Sequence, residues 1–266
     1  RTQPTMGIMS RAQPSAPAPN APCTTVHVAI NSAQAYAAPR ARLLQSMRKH
    51  GVPMQQVHVF LAGSTADDIV QDEHGVRFYP VRHESIDFSA LVHIAESPRL
   101  FSNVRQWFYM HDTCDVGRGF WPNATRWCES GLPACALPLT RSLPSSSMGL
   151  YDAAFLARHA ADILALKNAR ALPIEKWKKR GFGWEDKLFK VCDAESPVPI
   201  RRFTRRCFNA TIGRRTCICS NLAIDETPKS VYGPLSTPRQ EWRFECADVV
   251  KYKANYRRNL SLVLQP

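Results

Sequence analysis

The first periodic stretch of the chain has the pattern of a strand, a helix and a second strand, and this constrains the fold more than any other feature. Residues 26–30 and 57–61 are short runs rich in Val, and each predicts a strand. Between them, residues 31–38 predict a loop, Pro39 stands where a helix would begin and Gly51 where it would end. Such a unit implies two adjacent parallel strands with a right-handed connection. We therefore expect an α/β fold.

The rest of the first half continues this pattern. Residues 76–81 and the apolar run 107–110 predict a third and a fourth strand, and Asp87 predicts the N-cap of a short helix between them. In an open α/β sheet, ligands bind beyond the carboxyl ends of the strands. The predicted loops at such ends are 31–38, 62–68 and 111–118. We expect functional residues in these loops.

The second half is less regular. Residues 122–147 contain many prolines and small residues and predict irregular structure, whereas residues 152–168 predict a helix with one apolar face. Residues 185–191 predict a short helix and residues 241–259 a partly helical segment. The Arg-rich residues 200–220 remain open between loop and strands.

Length and composition favour one domain with a tail. One core of roughly 200–250 residues fits the 266-residue chain better than two small cores do. Residues 1–23 predict a disordered tail rich in Pro and Ala, and residues 24–266 a single domain. No apolar run approaches the ~18 residues of a membrane-spanning helix, and no signal-peptide pattern is present. Because the chain begins with Arg1 and not Met, we interpret it as a processed product or a fragment, with a membrane link only through a segment outside it.

The chain is strongly basic, with a formal net charge of +13. Its Lys and Arg residues concentrate between 176 and 215, which indicates either a solvated basic face or attraction of an anionic substrate such as a nucleotide diphosphate. Nucleic-acid binding is a third interpretation, but no zinc-finger, RNP or KH pattern accompanies the charge. We therefore expect no nucleic-acid partner.

The cysteines and the glycosylation sequons bear on the cellular compartment. The nine cysteines are an odd number, so at least one thiol is unpaired, and the C-x-C spacing of Cys217 and Cys219 is not that of a zinc finger. Asn123, Asn209 and Asn259 each begin an Asn-x-Ser/Thr sequon. Together these features favour a secretory compartment such as the Golgi lumen.

The first candidate site lies where an apolar strand stops abruptly at acidic residues. His111, Asp112 and Asp115 follow the predicted strand 107–110. Carboxylates are hard ligands suited to Mg²⁺ or Mn²⁺, which complete their shells with water and substrate phosphates. The spacing is equally typical of a turn in which the carboxylates accept hydrogen bonds from backbone amides, so both interpretations stay open. Cys114 has the neighbours of a thiol nucleophile, but the partners of such a group normally come from distant segments.

The second candidate site is the segment 181–186, GFGWED. Its glycines permit an unusual backbone path before a predicted helix. Glu185 and Asp186 fall in the first turn, where the helix dipole alone would favour acidic residues. In the functional interpretation, one of them has a raised pKa beside Trp184 and accepts a proton from a hydroxyl nucleophile. Trp184 then stacks on a sugar, and in the alternative interpretation it belongs to the core.

In this order, these features resemble glycosyltransferases of the GT-A fold, which use nucleotide-sugar donors. The strand–helix–strand unit between residues 26 and 61 resembles the start of that fold. Residues 111–115 stand in the place of its metal-binding Asp-x-Asp motif. Residues 181–186 are similar to the Gly-Trp-Gly-x-Glu-Asp segment that contacts the acceptor and supplies the base in several such families. The resemblance covers about residues 24–190.

The resemblance implies a three-layer αβα sandwich with a mainly parallel central sheet and an irregular C-terminal part. It implies transfer of a sugar, with inversion, from a nucleotide-diphosphate donor to a hydroxyl of a glycan, protein or small-molecule acceptor. The implied donor-binding residues are Asn31, Ser32, His111 and Asp112, and the implied acceptor-binding residues are Trp184 and Gly183. The implied general base is Asp186 or else Glu185, and the implied ligands of Mn²⁺ or Mg²⁺ are Asp112 and Asp115.

The chain departs from the family pattern at three points. The acidic motif is Asp-Thr-Cys-Asp and not Asp-x-Asp, which leaves open whether Asp112, Asp115 or both hold a metal. Phe182 stands where the second motif has Trp, and no His follows His159, although a later metal-binding His is common in the fold. These departures favour an alternative, in which the chain is a catalytically degenerate GT-A-like domain that serves as a binding or scaffold domain.

Overall fold

The structure is a computed structural model that describes residues 26–83, 85–129, 148–167, 229–232, 238–244 and 248–252. Its strands are β1 Val26–Ala33, β2 Val57–Ala62, β3 Val70–Gln71, β4 Arg77–Val81, β5 Gln106–His111, β6 Cys114–Val116, β7 Gly149–Asp152, β8 Lys229–Tyr232, β9 Pro238–Phe244 and β10 Val249–Tyr252. Its α-helices are α1 Ala37–Lys49, α2 Ser89–Glu96, α3 Phe120–Glu129, α4 Ala153–Arg158 and α5 Ala160–Leu164. The tail 1–23, the helix 185–191 and the segment 200–220 lie outside the described residues, and the single domain stays a prediction.

Six strands form a central sheet in the order β3-β4-β2-β1-β5-β7. The four inner strands β4, β2, β1 and β5 are parallel, and the edge strands β3 and β7 are antiparallel to their neighbours. β1, α1 and β2 follow one another along the chain, and β1 pairs in parallel with β2. The predicted α/β class, with its mainly parallel central sheet, is therefore confirmed.

Helices cover both faces of this sheet because successive strand residues point to opposite sides. On one face, Val28 of β1 belongs to the same buried cluster as Leu43 of α1. On the other face, Ala29 of β1 belongs to a cluster with Leu91 of α2 and Phe155 of α4. The inner strands β1, β2 and β5 are thus buried on both sides, which explains why they are nearly continuous apolar runs in the sequence.

Four strands form a second, antiparallel sheet in the order β6-β10-β9-β8. β6 follows β5 after only Asp112 and Thr113, so the chain leaves one sheet and enters the other at the first candidate site. β10 pairs with β6, and the Gly117 amide donates to the Asp248 carbonyl oxygen at 2.7 Å. A segment far along the chain therefore fixes the residues that follow the acidic motif.

The loop predicted at 31–38 is wrong, because β1 extends to Ala33 and a 3₁₀ helix, Gln34–Tyr36, leads directly into α1. Residues 31–33 pair with β2 as far as Ala62, and α1 already begins at Ala37. Pro39 lies inside the first turn of α1, where its missing N–H costs no helical hydrogen bond. Asn31 and Ser32 therefore lie on a strand, at its carboxyl end, and not in a loop.

The predicted helices that follow Asp87 and Asp152 differ in how they begin. Asp87 is not an N-cap: it lies in the 3₁₀ helix Ile86–Phe88, and α2 begins after Phe88 without a side-chain cap. Asp152 does cap the predicted helix at 152–168, since its carboxylate accepts hydrogen bonds from the next turn. That helix is divided at His159 into α4 and α5.

Two segments of the second half have other structures than predicted. α3 occupies the start of residues 122–147, which were predicted to be irregular, and strands β9 and β10 occupy part of residues 241–259, which were predicted to be partly helical. β9 pairs with its sequence neighbours β8 and β10, and β10 pairs in addition with the distant β6, so strand pairing overrides local propensity here. In the part of the chain that the structure describes, no helix has the length and apolar character needed to cross a membrane.

Candidate functional site

Two neighbouring strands of the central sheet end at the point where the strand order reverses. From β1 the chain adds β2 and β4 on one side and then β5 on the other. Open α/β sheets bind ligands in the crevice outside the carboxyl ends of the strands at such a point. Asn31 and Ser32 lie at the end of β1, His111 ends β5 and Asp112 follows it, and all four are at most 8% exposed. The structure therefore brings together the four predicted donor-site residues.

Asp112 is a buried carboxylate tied to β1. Its Oδ2 accepts a hydrogen bond from Ser32 Oγ at 2.7 Å, and Ser32 Oγ accepts one from Arg40 Nη1 at 3.0 Å. Burial raises the pKa of Asp112 to about 7, although the Ser32 hydrogen bond and the positive charge of Arg40 act to lower it. A strongly shifted carboxyl in a ligand crevice is a candidate for a functional group.

Asn31 and His111 join this site to the segment before α2. Asn31 Oδ1 accepts a hydrogen bond from the Ala90 amide at 2.9 Å, and its backbone oxygen accepts one from the Asp112 amide at 3.2 Å. His111 Nδ1 lies 3.6 Å from Asp87 Oδ1. Asp87, which the sequence suggested as a helix cap, thus contributes a carboxylate to the His111 side of the crevice.

Asp115 has a different partner from Asp112. It lies in β6, and its two carboxylate oxygens accept hydrogen bonds from Arg42 of α1, Oδ1 from Nε at 2.9 Å and Oδ2 from Nη2. The pair is partly open to solvent, with 43% of the Arg42 side chain and 22% of the Asp115 side chain exposed. The two acids of the motif therefore lie near different arginines: Arg42 pairs directly with Asp115, whereas Arg40 is linked to Asp112 only through the Ser32 hydroxyl.

This donor set does not fit the divalent cation that the family resemblance implies. A cation binds carboxylate oxygens directly, whereas both Asp115 oxygens accept hydrogen bonds from Arg42, and Asp112 Oδ2 accepts one from Ser32. The binding of Mn²⁺ or Mg²⁺ by Asp112 and Asp115 stays a prediction.

Cys114, between the two acids, is not a nucleophile. Its side chain is fully buried, and burial raises its pKa to about 12. Its Sγ donates to Met148 Sδ at 3.6 Å. A thiol that remains protonated at neutral pH and has no access to solvent is a structural residue. The hypothesis of a thiol nucleophile is therefore wrong.

The second candidate site, residues 181–186, lies in a part of the chain that the structure does not describe. Gly183, Trp184, Glu185 and Asp186 lie outside the described residues, as do the basic residues between 176 and 215. Their roles as acceptor-binding residues, general base and basic surface stay predictions.

The sequence interpretation missed Arg40 and Arg42. Both lie in α1, directly after the strand that ends at the crevice. The signal was available, because the helix after the first strand of an α/β unit begins at the ligand edge of the sheet. Two basic residues near its start were therefore candidates for ligand contact. The sequence analysis instead assigned the attraction of an anionic substrate to the basic residues between 176 and 215.

No protein-family model matches the chain, and no curated protein matches it either. We therefore infer the function of the protein from its residues and their geometry.

Proposed function

We propose that the protein is a glycosyltransferase that moves a sugar from a nucleotide-diphosphate donor to an acceptor hydroxyl. The observation that carries this proposal is the cluster of buried polar residues at the switch point: Asn31, Ser32, His111 and Asp112. Apolar strands that end in buried polar groups at a ligand crevice are typical of a site for a polar small molecule. The order of the sequence motifs then favours a nucleotide sugar.

The finer fold assignment, a GT-A-like three-layer sandwich, belongs to the same proposal. It is supported by the mainly parallel sheet with helices on both faces. It is also supported by the position of Asp112 and Asp115, which follow the strand on the far side of the switch point from β2. The acidic motif joins the two sheets: Asp112 follows β5 of the central sheet, and Asp115 lies in β6 of the antiparallel sheet.

In the proposed reaction, the acceptor oxygen attacks the anomeric carbon as the bond from that carbon to the donor phosphate breaks. The departing nucleoside diphosphate keeps the bonding electrons, and the acceptor proton passes to Asp186 or, failing that, to Glu185. Attack from the side opposite the leaving group inverts the anomeric carbon. Ser32 and His111 would orient the donor at the switch point, and Asp112 would hold the Ser32 hydroxyl in place through their 2.7 Å hydrogen bond.

The test is a panel of nucleotide sugars, with release of nucleoside diphosphate and transfer to added acceptors measured with and without Mn²⁺. We expect Asp112→Asn to reduce donor binding and Asp186→Asn to abolish transfer while donor binding remains. Glu73→Gln is the matched control, because the Glu73 side chain is 85% exposed and precedes β4 at the opposite edge of the sheet. If no nucleotide sugar in a broad panel binds, the proposal is refuted.

A non-catalytic domain of the same fold is the second candidate. The pairing of Asp115 with Arg42 favours it, because this ion pair leaves neither oxygen of that carboxylate free. It predicts donor binding without turnover, and equal binding by the wild type and Asp186→Asn. Turnover that depends on Asp186 would exclude this candidate.

A further inference from the structure

An arginine of α1 accompanies each acid of the motif. Arg40 Nη1 donates to Ser32 Oγ at 3.0 Å and to the Ala33 carbonyl oxygen at 3.1 Å, and Ser32 in turn donates to Asp112. Arg42 holds Asp115 with two parallel hydrogen bonds. Two arginines of α1 therefore lie beside the acidic motif, Arg42 in direct contact with Asp115 and Arg40 linked to Asp112 through Ser32.

This arrangement suits an anion better than a cation. A divalent cation at Asp115 would have to displace Arg42, and one at Asp112 would lie near the positive charge of Arg40. A phosphate group can instead replace the Asp115 carboxylate on Arg42, because the guanidinium fork binds both anions with the same pair of parallel hydrogen bonds. The ion pair is partly exposed, and such pairs are weak, so the exchange costs little.

We propose that Arg42, assisted by Arg40, binds the phosphate groups of the donor directly, in place of a divalent cation, and that Asp115 is the internal carboxylate that the phosphate displaces. This inference rests on the proposed function, in which the donor is a nucleotide-diphosphate sugar held at the switch point. Before phosphate binds, Asp115 would keep the Arg42 side chain in position through their two hydrogen bonds. Once phosphate is present, Asp115 competes with it for the same guanidinium group.

An arginine site and a metal site predict opposite changes in phosphate affinity when Asp115 is replaced by Asn. If Asp115 were a metal ligand, Asp115→Asn would weaken phosphate binding. If Asp115 competes for Arg42, Asp115→Asn strengthens it. Calorimetric titrations with inorganic diphosphate and with a panel of nucleoside diphosphates and nucleotide sugars, each in EDTA and in Mn²⁺, separate the two. The variants are Arg42→Gln and Asp115→Asn, and the control is Arg48→Gln, which removes an exposed arginine from the last turn of the same helix.

In EDTA, we expect the wild type to bind inorganic diphosphate and Arg42→Gln to bind it about tenfold or more weakly, the effect of losing a charge-assisted hydrogen-bond pair. We expect Asp115→Asn to bind it several-fold more tightly and Arg48→Gln to bind it as the wild type does. Near-ultraviolet circular dichroism verifies that each variant is folded.

Three results would overturn the inference: diphosphate binding that requires Mn²⁺ and weakens in Asp115→Asn, no diphosphate binding in either buffer, or equal losses in Arg42→Gln and Arg48→Gln. The first leaves the proposed function intact if nucleotide sugars bind in Mn²⁺. Conversely, Arg42-dependent binding of diphosphate in EDTA without binding of any nucleotide sugar supports the phosphate site and refutes glycosyl transfer.

Discussion

Two buried histidines near the amino-terminal ends of β1 and β2 make stability depend on pH. His27 Nδ1 and His58 Nε2 share a hydrogen bond of 2.7 Å, and His58 Nδ1 shares one of 2.9 Å with the Tyr79 hydroxyl. Burial is the largest cause that lowers the pKa of His27 to about 4 and of His58 to about 3, and the nearby positive charge of Arg77 lowers both further. Both rings are therefore neutral in the folded protein at pH 5.

In the unfolded chain these histidines titrate near 6.5 and are almost fully protonated at pH 5. The unfolded state then binds more protons than the folded state, so stability is complete above pH 6.5 and falls as the pH falls toward the folded pKa values. From pH 7 to pH 5 each histidine removes about 2 kcal/mol from the free energy of unfolding. This magnitude depends mainly on the unfolded pKa, because any folded pKa well below 5 gives nearly the same result.

Other groups also contribute over this range. The folded pKa of Asp112, about 7, lies above its unfolded value, so this carboxyl stabilises the fold as the pH falls and offsets about 2 kcal/mol. Burial also lowers the pKa of His83 and His93, which act in the same direction as His27 and His58. The wild-type change alone therefore does not isolate the histidine pair.

The comparison of variants does isolate it. His58→Gln keeps groups that hydrogen-bond to His27 and Tyr79 but cannot be protonated, so its free energy of unfolding should fall by about 2 kcal/mol less than that of the wild type between pH 7 and pH 5. Urea unfolding followed by tryptophan fluorescence measures both values. His74→Gln is the control, since its side chain is 42% exposed, and it should keep the wild-type dependence. A His58→Gln dependence equal to that of the wild type would refute a neutral, buried His58.

Three further predictions concern single residues. Gly117→Ala should destabilise the joint between β6 and β10 by about 1–3 kcal/mol in urea unfolding, because a Cβ there would overlap the Asp248 carboxylate, which the Gly119 amide holds in place by a 2.7 Å hydrogen bond. An unchanged midpoint would refute the close approach. Asp152→Ala should cost about 1 kcal/mol by removing the cap of α4 and Asp152→Asn much less, so equal losses would argue against capping. The Cys114 peptide should resist alkylation at pH 8 in the folded protein and react in urea, as mass spectrometry can measure, because burial raises the pKa of its thiol to about 12. Alkylation of folded protein at Cys114 would contradict its burial.

The parallel strands were predictable because burial on both faces leaves a strong local signal. Residues 26–30, 57–61 and 107–110 are apolar almost throughout, and each lies within a central strand of the structure. The strand at 249–252 was harder to predict, since one of its two partners, β6, lies far earlier in the chain. A local sequence pattern carries no information about a partner that is distant in the sequence.

In the candidate site, too, some features could be predicted from the sequence and others could not. Its position could be predicted from the rule that ligands bind at the carboxyl ends of strands, and Asn31, Ser32, His111 and Asp112 do meet there. The chemistry of the acidic motif could not be predicted, because it depends on which side chains lie opposite each carboxylate. The spacing of Asp112 and Asp115 gives no sign that Arg40 and Arg42 lie beside them.

The reason lies in the change of sheet within the motif. Asp112 follows the last residue of β5 and accepts a hydrogen bond from Ser32 on the neighbouring strand, whereas Asp115 lies in β6 and pairs with Arg42 of α1. Two carboxylates that would be equivalent in one turn thus acquire different environments, one buried and partly protonated, the other partly exposed and paired with an arginine. An anionic ligand can compete only for the exposed pair, because it can reach Arg42 without first entering the protein interior. Asp115, and not the more deeply buried Asp112, is therefore the position where a substitution separates an arginine site for phosphate from a carboxylate site for metal.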